Sequence, residues 1–240
     1  MSFRPLLVTG VVDETASARS IFLRPSPDDA ERFRYRAGQN LMFRVEIDGE
    51  VIESPYSLSS APETDPELRI TVQQVDEGRI SKWLNQDVAP GDELLAGPPT
   101  GRFVLNGSSR PLTLLAAGSG ITPIFSILKS ALASTGRPIA LLYANRTVAR
   151  AIFKGEIDHL AERQPDRFTV HHHIDAEAGL ITGEAIRTVL ARQPDAEVYV
   201  CGPEPFMALV REQAAALAIP PARLITEDFS QSHPGPDGWT

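Results

Sequence analysis

The sequence predicts an antiparallel β unit, a barrel or a sandwich, followed by a parallel α/β unit. Three observations carry this expectation. Residues 1 to about 107 alternate apolar and polar positions with period two, broken by turn signals. Residues 110 to about 229 alternate short apolar runs with helical patterns. Between them, Leu112–Ala116 reads as a buried apolar strand, followed by Ala117-Gly118-Ser119-Gly120 and an amphipathic pattern from Pro123.

The whole chain sets outer limits. Its 240 residues suffice for one large domain or two small ones. A net charge of −8 argues against nucleic acid as the main partner. No apolar run approaches membrane-spanning length, and Met1-Ser2-Phe3-Arg4-Pro5 lacks a signal-peptide core, so the expected compartment is cytoplasmic. Cys201 is the single cysteine, which leaves no disulfide framework and no cysteine-ligated zinc or iron–sulfur cluster in this chain.

In the first half, strands are expected at Val8–Val12, Ser20–Arg24, Asn40–Ile47, Glu50–Ser57 and Leu68–Val75. The run Arg32-Phe33-Arg34-Tyr35-Arg36 reads as a further strand with three arginines on one face. That face is either a solvated edge or a basic patch that steers an acidic electron acceptor. Ser54-Pro55-Tyr56-Ser57 places an aromatic and hydroxyls at a strand end, where plain turn chemistry is the alternative. After Gly78, Ser81 stands where a short helix begins, with Arg79 beside it, a setting suited to phosphate. Gly97–Phe103 reads as a rigid turn before a last barrel strand, and Asn106-Gly107-Ser108-Ser109 as the linker.

In the second half, strand, glycine turn and helix N-terminus make a site for a pyrophosphate. The same turn also closes ordinary α/β packing, and the third glycine of the dinucleotide fingerprint is missing. Thr122 is expected to cap the helix, with Pro123 in its first turn and Gly136 as its stop. Its apolar face is read as Ile124, Ile127, Leu128, Ala131 and Leu132. Strands follow at Ile139–Ala144, Phe168–His173, Val198–Val200 and Arg223–Thr226, with helices near Phe153–Leu160, Glu184–Leu190 and Pro205–Leu217. Of His171-His172-His173, His171 and His173 share a strand face, and the triplet reads as a polar strand end rather than a metal site. The tail 230–240, with Pro234, Gly235, Pro236 and Gly238, reads as a flexible tail or linker stub.

Eight landmarks then stand in one order: Tyr35-x-Ala37-Gly38-Gln39, Pro55-Tyr56-Ser57-Leu58-x-Ser60, Gly78-x-x-Ser81-x-x-Leu84, Gly97-Pro98-x-x-Gly101-x-Phe103, Ala117-Gly118-x-Gly120-Ile121-Thr122-Pro123, Tyr143-x-Asn145-Arg146, Cys201-Gly202-Pro203-x-x-Phe206-Met207 and Glu227-x-Phe229. In these the chain resembles the ferredoxin–NADP⁺ reductase superfamily, most of all the flavin reductase modules of oxygenase systems. The resemblance implies an antiparallel β-barrel that binds FAD over 1–107 and an α/β parallel-sheet domain that binds NAD(P) over 108–229. It implies an FAD-dependent NAD(P)H oxidoreductase that takes a hydride from NADH or NADPH and passes single electrons to an iron–sulfur acceptor.

The resemblance also implies roles. Tyr56, with Pro55, lies against the flavin, and Ser57 reaches its reactive edge. Thr71, Val72 and Gln73 line the ring and ribityl chain. Gly78, Arg79, Ile80 and Ser81 hold the pyrophosphate, which favours FAD over FMN. Gly118, Gly120 and Thr122 hold the nicotinamide dinucleotide, and Cys201, Gly202 and Pro203 position its nicotinamide. Glu227 sits near the flavin N5, and Phe229 covers the ring. Ser57, Cys201 and Glu227 are thereby the catalytic candidates.

Two departures stand out. Ser54 occupies the place where the family has an arginine for flavin phosphate, a charge-assisted contact of about 1.5–3 kcal/mol. No iron–sulfur segment follows Glu227-x-Phe229, so the acceptor is a separate protein or a fused domain missing from this chain. Arg146 follows a strand where an adenosine 2′-phosphate could sit, whereas Leu180 stands where a second basic residue would help. The resemblance includes NADH-using relatives with that arginine, and the balance leans to NADH. A free-flavin reductase and a non-catalytic electron-transfer or regulatory subunit are the rival readings.

Overall fold

The computed structural model describes residues 2–229; the tail expected over 230–240 lies outside them. Among the described residues the strands form two sheets. The first is antiparallel and comprises β1 (Arg4–Thr15), β2 (Ala18–Pro25), β3 (Asn40–Ile47), β4 (Glu50–Ser57), β5 (Leu68–Gln73) and β6 (Glu93–Ala96). Its order is β4-β3-β6-β1-β2-β5. A bridge between Leu58 and Ile70 joins the two outer strands, so the sheet curls shut as a barrel. Alternation drives the closure: Leu41, Phe43 and Val45 on β3 point into the same core as Leu6, Val8, Ile21, Leu23 and Ile70. Asp48 and Gly49 both take positive φ, which is the tight turn that joins β3 to β4. Helix α1 (Arg79–Gln86) adds Ile80 and Leu84 to the barrel core.

The second sheet is parallel: β7 (Leu112–Ala117), β8 (Ile139–Asn145), β9 (Phe168–Ile174), β10 (Glu197–Cys201) and β11 (Leu224–Glu227), in the order β11-β10-β7-β8-β9. Leu114 and Ala116 of β7 face α2 (Ile121–Ser134) and α3 (Lys154–Arg163). After the short α4 (Asp175–Ala178) come α5 (Gly183–Arg192) and α6 (Glu204–Ala216), which cover Leu115 and Ala117 on the other face. The chain winds outward from β7 through β8 to β9, then returns to place β10 on the other side. The carboxyl ends of β7 and β10 therefore flank the point where the strand order reverses, where open α/β sheets bind ligands.

Several expectations change. Arg32–Arg36 is not a strand: Pro27–Phe33 is a 3₁₀ helix capped by Ser26. The arginines also diverge, Arg32 donating to the Ser2 carbonyl, Arg34 pairing with Glu31 and Arg36 donating to the Leu105 carbonyl. Among the described residues no barrel strand follows Gly97–Phe103; the last one is β6, upstream, and Phe103 instead packs edge-on to Tyr199 at 5.5 Å. Gly120, not Thr122, is the N-cap of α2, and the Thr122 hydroxyl donates to the Ser119 carbonyl at 3.0 Å. Thr135 ends that helix, and Gly136 does not take the left-handed conformation of a glycine stop. Helix α2 is buried from Ile121 to Leu132 on every side rather than on one face, because the barrel covers the side turned away from the sheet.

Candidate functional site

At the carboxyl end of β7 the chain turns through Gly118, whose φ is +53° with open space where a Cβ would stand. Gly120 is the opposite case. A Cβ there would lie 2.2 Å from the Cys201 carbonyl oxygen, so only glycine lets this turn close on the end of β10. A Cβ on Gly202 would meet the Phe206 ring at 2.9 Å and Ala117 at 3.0 Å. The two turns at the sheet reversal are thus packed backbone to backbone. Below Gly118, Tyr143 directs its hydroxyl to the Gly118 carbonyl at 3.4 Å. Helix α2 has no acidic side chain in its first turn, which leaves its N–H groups suited to an anion.

Cys201 is fully buried and stands in register with Glu227 across β10 and β11. Burial pushes its thiol well up, with Glu227 and Asp228 adding to the effect. Burial likewise raises the half-buried Glu227 carboxyl; the nearby Asn40 amide opposes this and the Asp228 charge reinforces it. Asn40 is the residue that sequence reasoning missed. It opens β3 opposite Ser57 and accepts from the Thr100 hydroxyl at 3.1 Å. Gly101, at φ +111°, leaves room for its amide, since a Cβ there would approach Nδ2 to 3.0 Å. Ser57, Asn40, Glu227 and Cys201 form one chain of neighbours from the barrel to the parallel sheet. A polar side chain directly after the Ala37-Gly38-Gln39 landmark is the signal that could have found Asn40. Phe229 is part-buried against the core cluster that contains Cys201.

On β4, Ser54 and Tyr56 share a face opposite Phe43 and Leu41. Among the described residues neither buried hydroxyl oxygen has a hydrogen-bond partner. Burial pushes the Tyr56 phenol up to about 12, and the nearby Ser54 hydroxyl acts against this without forming a full hydrogen bond. Pro55 is part-buried between them. On β5, Thr71 links the Ser20 and Ser59 hydroxyls at 2.8 Å each, Gln73 is part-buried, and Val72 points into the barrel core. The expected ligand contact of Val72 is thereby restricted to its backbone, and its carbonyl already accepts from Asn85.

At α1, Ser81 folds back to receive the Val75 N–H and donate to the Gly78 carbonyl. A Cβ on Gly78 would strike Ser81 Oγ at 2.3 Å, so the turn depends on that glycine. Ile80 is in the barrel core. Arg79 turns to the β3–β4 hairpin, bonding Glu50 at 2.5 Å and the Ile47 carbonyl at 2.8 Å. What remains for a pyrophosphate is the first-turn backbone N–H groups of Arg79, Ile80 and Ser81, which an α-helix leaves without intrahelical acceptors. Arg146 follows β8, its carbonyl held by the Ala176 N–H at 3.0 Å, and Leu180 is 75% exposed. Among the histidines, His172 meets Asp158 at 2.7 Å and His173 the Gly179 carbonyl at 2.9 Å.

The residues present fit a dinucleotide and a flavin: a glycine turn at the sheet reversal, two helix N-termini without acids in their first turns, and two orphaned hydroxyls on β4. Fold and site define a two-domain oxidoreductase that binds FAD and a nicotinamide dinucleotide. Residues 13–105 match the oxidoreductase FAD-binding domain family and 114–212 the oxidoreductase NAD-binding domain family. The chain belongs to the ferredoxin–NADP⁺ reductase superfamily. It is 39% identical over 227 residues to the ferredoxin reductase component of 3-ketosteroid-9-alpha-monooxygenase from Rhodococcus rhodochrous, covering 94% of this chain and 64% of that protein. To the component of the same name from Mycolicibacterium smegmatis it is 38% identical, covering 96% and 67%. The FAD/NAD-binding domain of nitric oxide dioxygenase from Vibrio cholerae superposes with a TM-score of 0.78 at 27% identity, covering 94% of this chain and 98% of that one. This chain therefore spans slightly less than two thirds of the Rhodococcus protein. Among the described residues no helix is long and apolar enough to cross a membrane.

Proposed function

We propose that this chain takes a hydride from NADH, or less readily NADPH, onto FAD and passes electrons one at a time to an iron–sulfur acceptor. The acceptor is a ferredoxin or oxygenase component, on a separate chain or a fused domain. FAD supplies the conversion from a two-electron donor to one-electron delivery. The protein supplies position: productive hydride transfer needs reacting atoms about 3–3.5 Å apart. The observation that carries this reading is the junction where Gly120 closes on the Cys201 carbonyl and Cys201 pairs with Glu227.

In this reading residues 1–107 hold FAD and residues 108–229 hold the nucleotide. Tyr56 and Ser57 support the flavin ring, the first turn of α1 binds its pyrophosphate, and Gly118, Gly120 and Thr122 bind the dinucleotide. Cys201, Gly202 and Pro203 place the nicotinamide. Glu227, whose carboxyl burial raises, stands beside the reacting edge with Asn40 next to it, and Phe229 covers the ring. The relatives' names, ferredoxin reductase components of a monooxygenase, support the acceptor class. The exposed Leu180, in place of a cation, supports NADH. The single buried, unpaired cysteine supports a cytoplasmic setting.

The deciding experiment is a visible absorption spectrum of the FAD-loaded protein before and after NADH under anaerobic conditions. Bleaching of a bound-flavin spectrum is the expected result. Flavin that passes freely through a desalting column, yet is reduced in its presence, would favour the free-flavin reductase reading, to which the uncharged Ser54 lends support. No uptake and no reduction would favour a non-catalytic subunit.

A further inference from the structure

The polar residues of α2 are directed at the barrel. Ser126 Oγ donates to the Ser60 carbonyl at 2.5 Å and accepts the Gly38 N–H at 3.2 Å. One turn on, Lys129 Nζ meets Asp65 Oδ2 at 2.5 Å. From the other side Arg69 of β5, with its side chain 8% exposed, reaches Glu156 of α3 at 3.2 Å. Its guanidinium lies 5.5 Å from the Phe125 ring and 4.8 Å from the Phe153 ring, and these two rings stack at 4.5 Å. Lys129 Nζ stands 4.6 Å from the same Phe125 ring. Two cations thus cross one boundary in opposite directions and share one aromatic stack. Phe153 is held at φ +60°, a conformation a bulky residue keeps only where its surroundings enforce it.

Both ends of this contact lead directly to the reacting site. Ser126 follows Thr122 by one helical turn, and Ser60 follows Ser57 by three residues. The Ser59 and Ser60 N–H groups donate to the Arg69 carbonyl at 2.7 and 3.3 Å, which ties the end of β4 to β5. Two domains in one chain ordinarily move relative to each other unless their interface is made specific. A misplacement of about 1 Å between reacting groups lowers a rate roughly a hundredfold.

We propose that Arg69, Ser126 and Lys129 are positioning residues: they clasp the dinucleotide helix to the flavin strand and so set the ring-to-ring distance for hydride transfer. The proposal rests on the reductase reading above. Asp65 is the acceptor of the Lys129 ammonium, so removing Asp65 breaks the same bond across the boundary as removing Lys129.

The test combines stopped-flow reduction of the FAD-loaded chain by NADH with amide exchange read at Gly38. Lys129→Met keeps the apolar stem, Ser126→Ala removes the relay, and Lys129→Arg restores the charge; Asp65→Asn replaces Lys129→Met should that variant fail to fold. The limiting reduction rate is expected to fall about ten- to a hundredfold in the first two variants, with FAD content and the apparent KM for NADH within about twofold and most of the rate recovered by Lys129→Arg. The Gly38 amide should exchange faster in Ser126→Ala. A contact that serves stability alone would lower Tm and leave the limiting rate of folded variants within about twofold of the parent, and that result overturns the proposal. If the parent binds FAD but neither nucleotide reduces it, the reductase reading fails, and the positioning role built on it is overturned; the Gly38 exchange then still shows whether the contact itself exists.

Discussion

Cys201 and Glu227 are paired in register at the last step of the parallel ladder between β10 and β11. The pairing joins a buried thiol to a carboxyl that Asn40 reaches from the barrel. A small side chain at this place lets a planar ring approach the strand end. Cys201→Leu, which fills the space the ring needs, should lower the limiting rate of flavin reduction about tenfold or more while changing the Kd for NADH by less than about threefold. Stopped-flow traces over a range of NADH concentrations separate the two, and an unchanged limiting rate removes Cys201 from the mechanism.

Glu227 gives a pH dependence with a definite sign. Its carboxyl is raised in the folded protein, so the folded state keeps a proton that the unfolded chain has released. Its contribution to stability is present below the ordinary carboxylate range and is lost as pH rises through the raised value. Glu227→Gln should flatten that part of the stability profile. Asn40→Leu removes the donor that favours the carboxylate, so the limb should move to higher pH. Urea melts across the acidic to neutral range check both, and identical profiles for Asn40→Leu and the parent refute the assigned contact.

Much of this was legible in the sequence, and the misses share physical reasons. The run Leu112–Ala117 with its glycine turn announced itself because a parallel strand buried on both faces has no polar positions to confuse it. Arg32-Phe33-Arg34-Tyr35-Arg36 misled because its period-two pattern imitates a strand, whereas Ser26 and Pro27 just before it are a helix start. Strand β6 is four residues long, too short for its alternation to register. On α2, Ser126 and Lys129 lie outside the apolar face that periodicity picks out; they are the polar contacts of an interface that periodicity within one element cannot reveal. Asn40 escapes a reading by local pattern because its neighbours Thr100 and Glu227 are distant in sequence, and only its place after the Ala37-Gly38-Gln39 landmark points to it.

Gly118 and Gly120 should respond differently to the same change. Alanine at Gly118 meets open space and carries only the left-handed penalty, about 1–2 kcal/mol. Alanine at Gly120 drives its Cβ into the Cys201 carbonyl, so the β10 turn must move. Gly120→Ala should therefore abolish reduction by NADH while FAD stays bound, and Gly118→Ala should retain measurable activity. Equal loss in both variants would mean that the turn, not its closure on Cys201, is what matters.

Arg137 and Glu197 form a buried pair at 2.6 Å, and Asn106, in the expected linker, donates to the same carboxylate at 2.8 Å. The pair fixes the start of the parallel sheet to the segment arriving from the barrel. Arg137→Met leaves the Glu197 carboxylate buried without its cation and should lower stability by about 3–5 kcal/mol. The double change Arg137→Met with Glu197→Leu should recover part of that loss, since no charge is then left alone. A single variant within about 1 kcal/mol of the parent in denaturant melts would show that the pair is replaceable.

Ser54 makes the sharpest case, because stability and binding should move in opposite directions. Among the described residues its buried hydroxyl has no hydrogen-bond partner, a condition that costs about 1–3 kcal/mol. Ser54→Ala removes that penalty and should raise the Tm of the FAD-free chain. If the hydroxyl is oriented for the flavin, the same variant should bind FAD about three- to tenfold more weakly, the worth of one neutral hydrogen bond. Calorimetry with and without FAD reads both quantities. A rise in Tm with unchanged FAD affinity would mean that Ser54 has left the flavin site altogether, and that the family's arginine was lost there without a polar replacement.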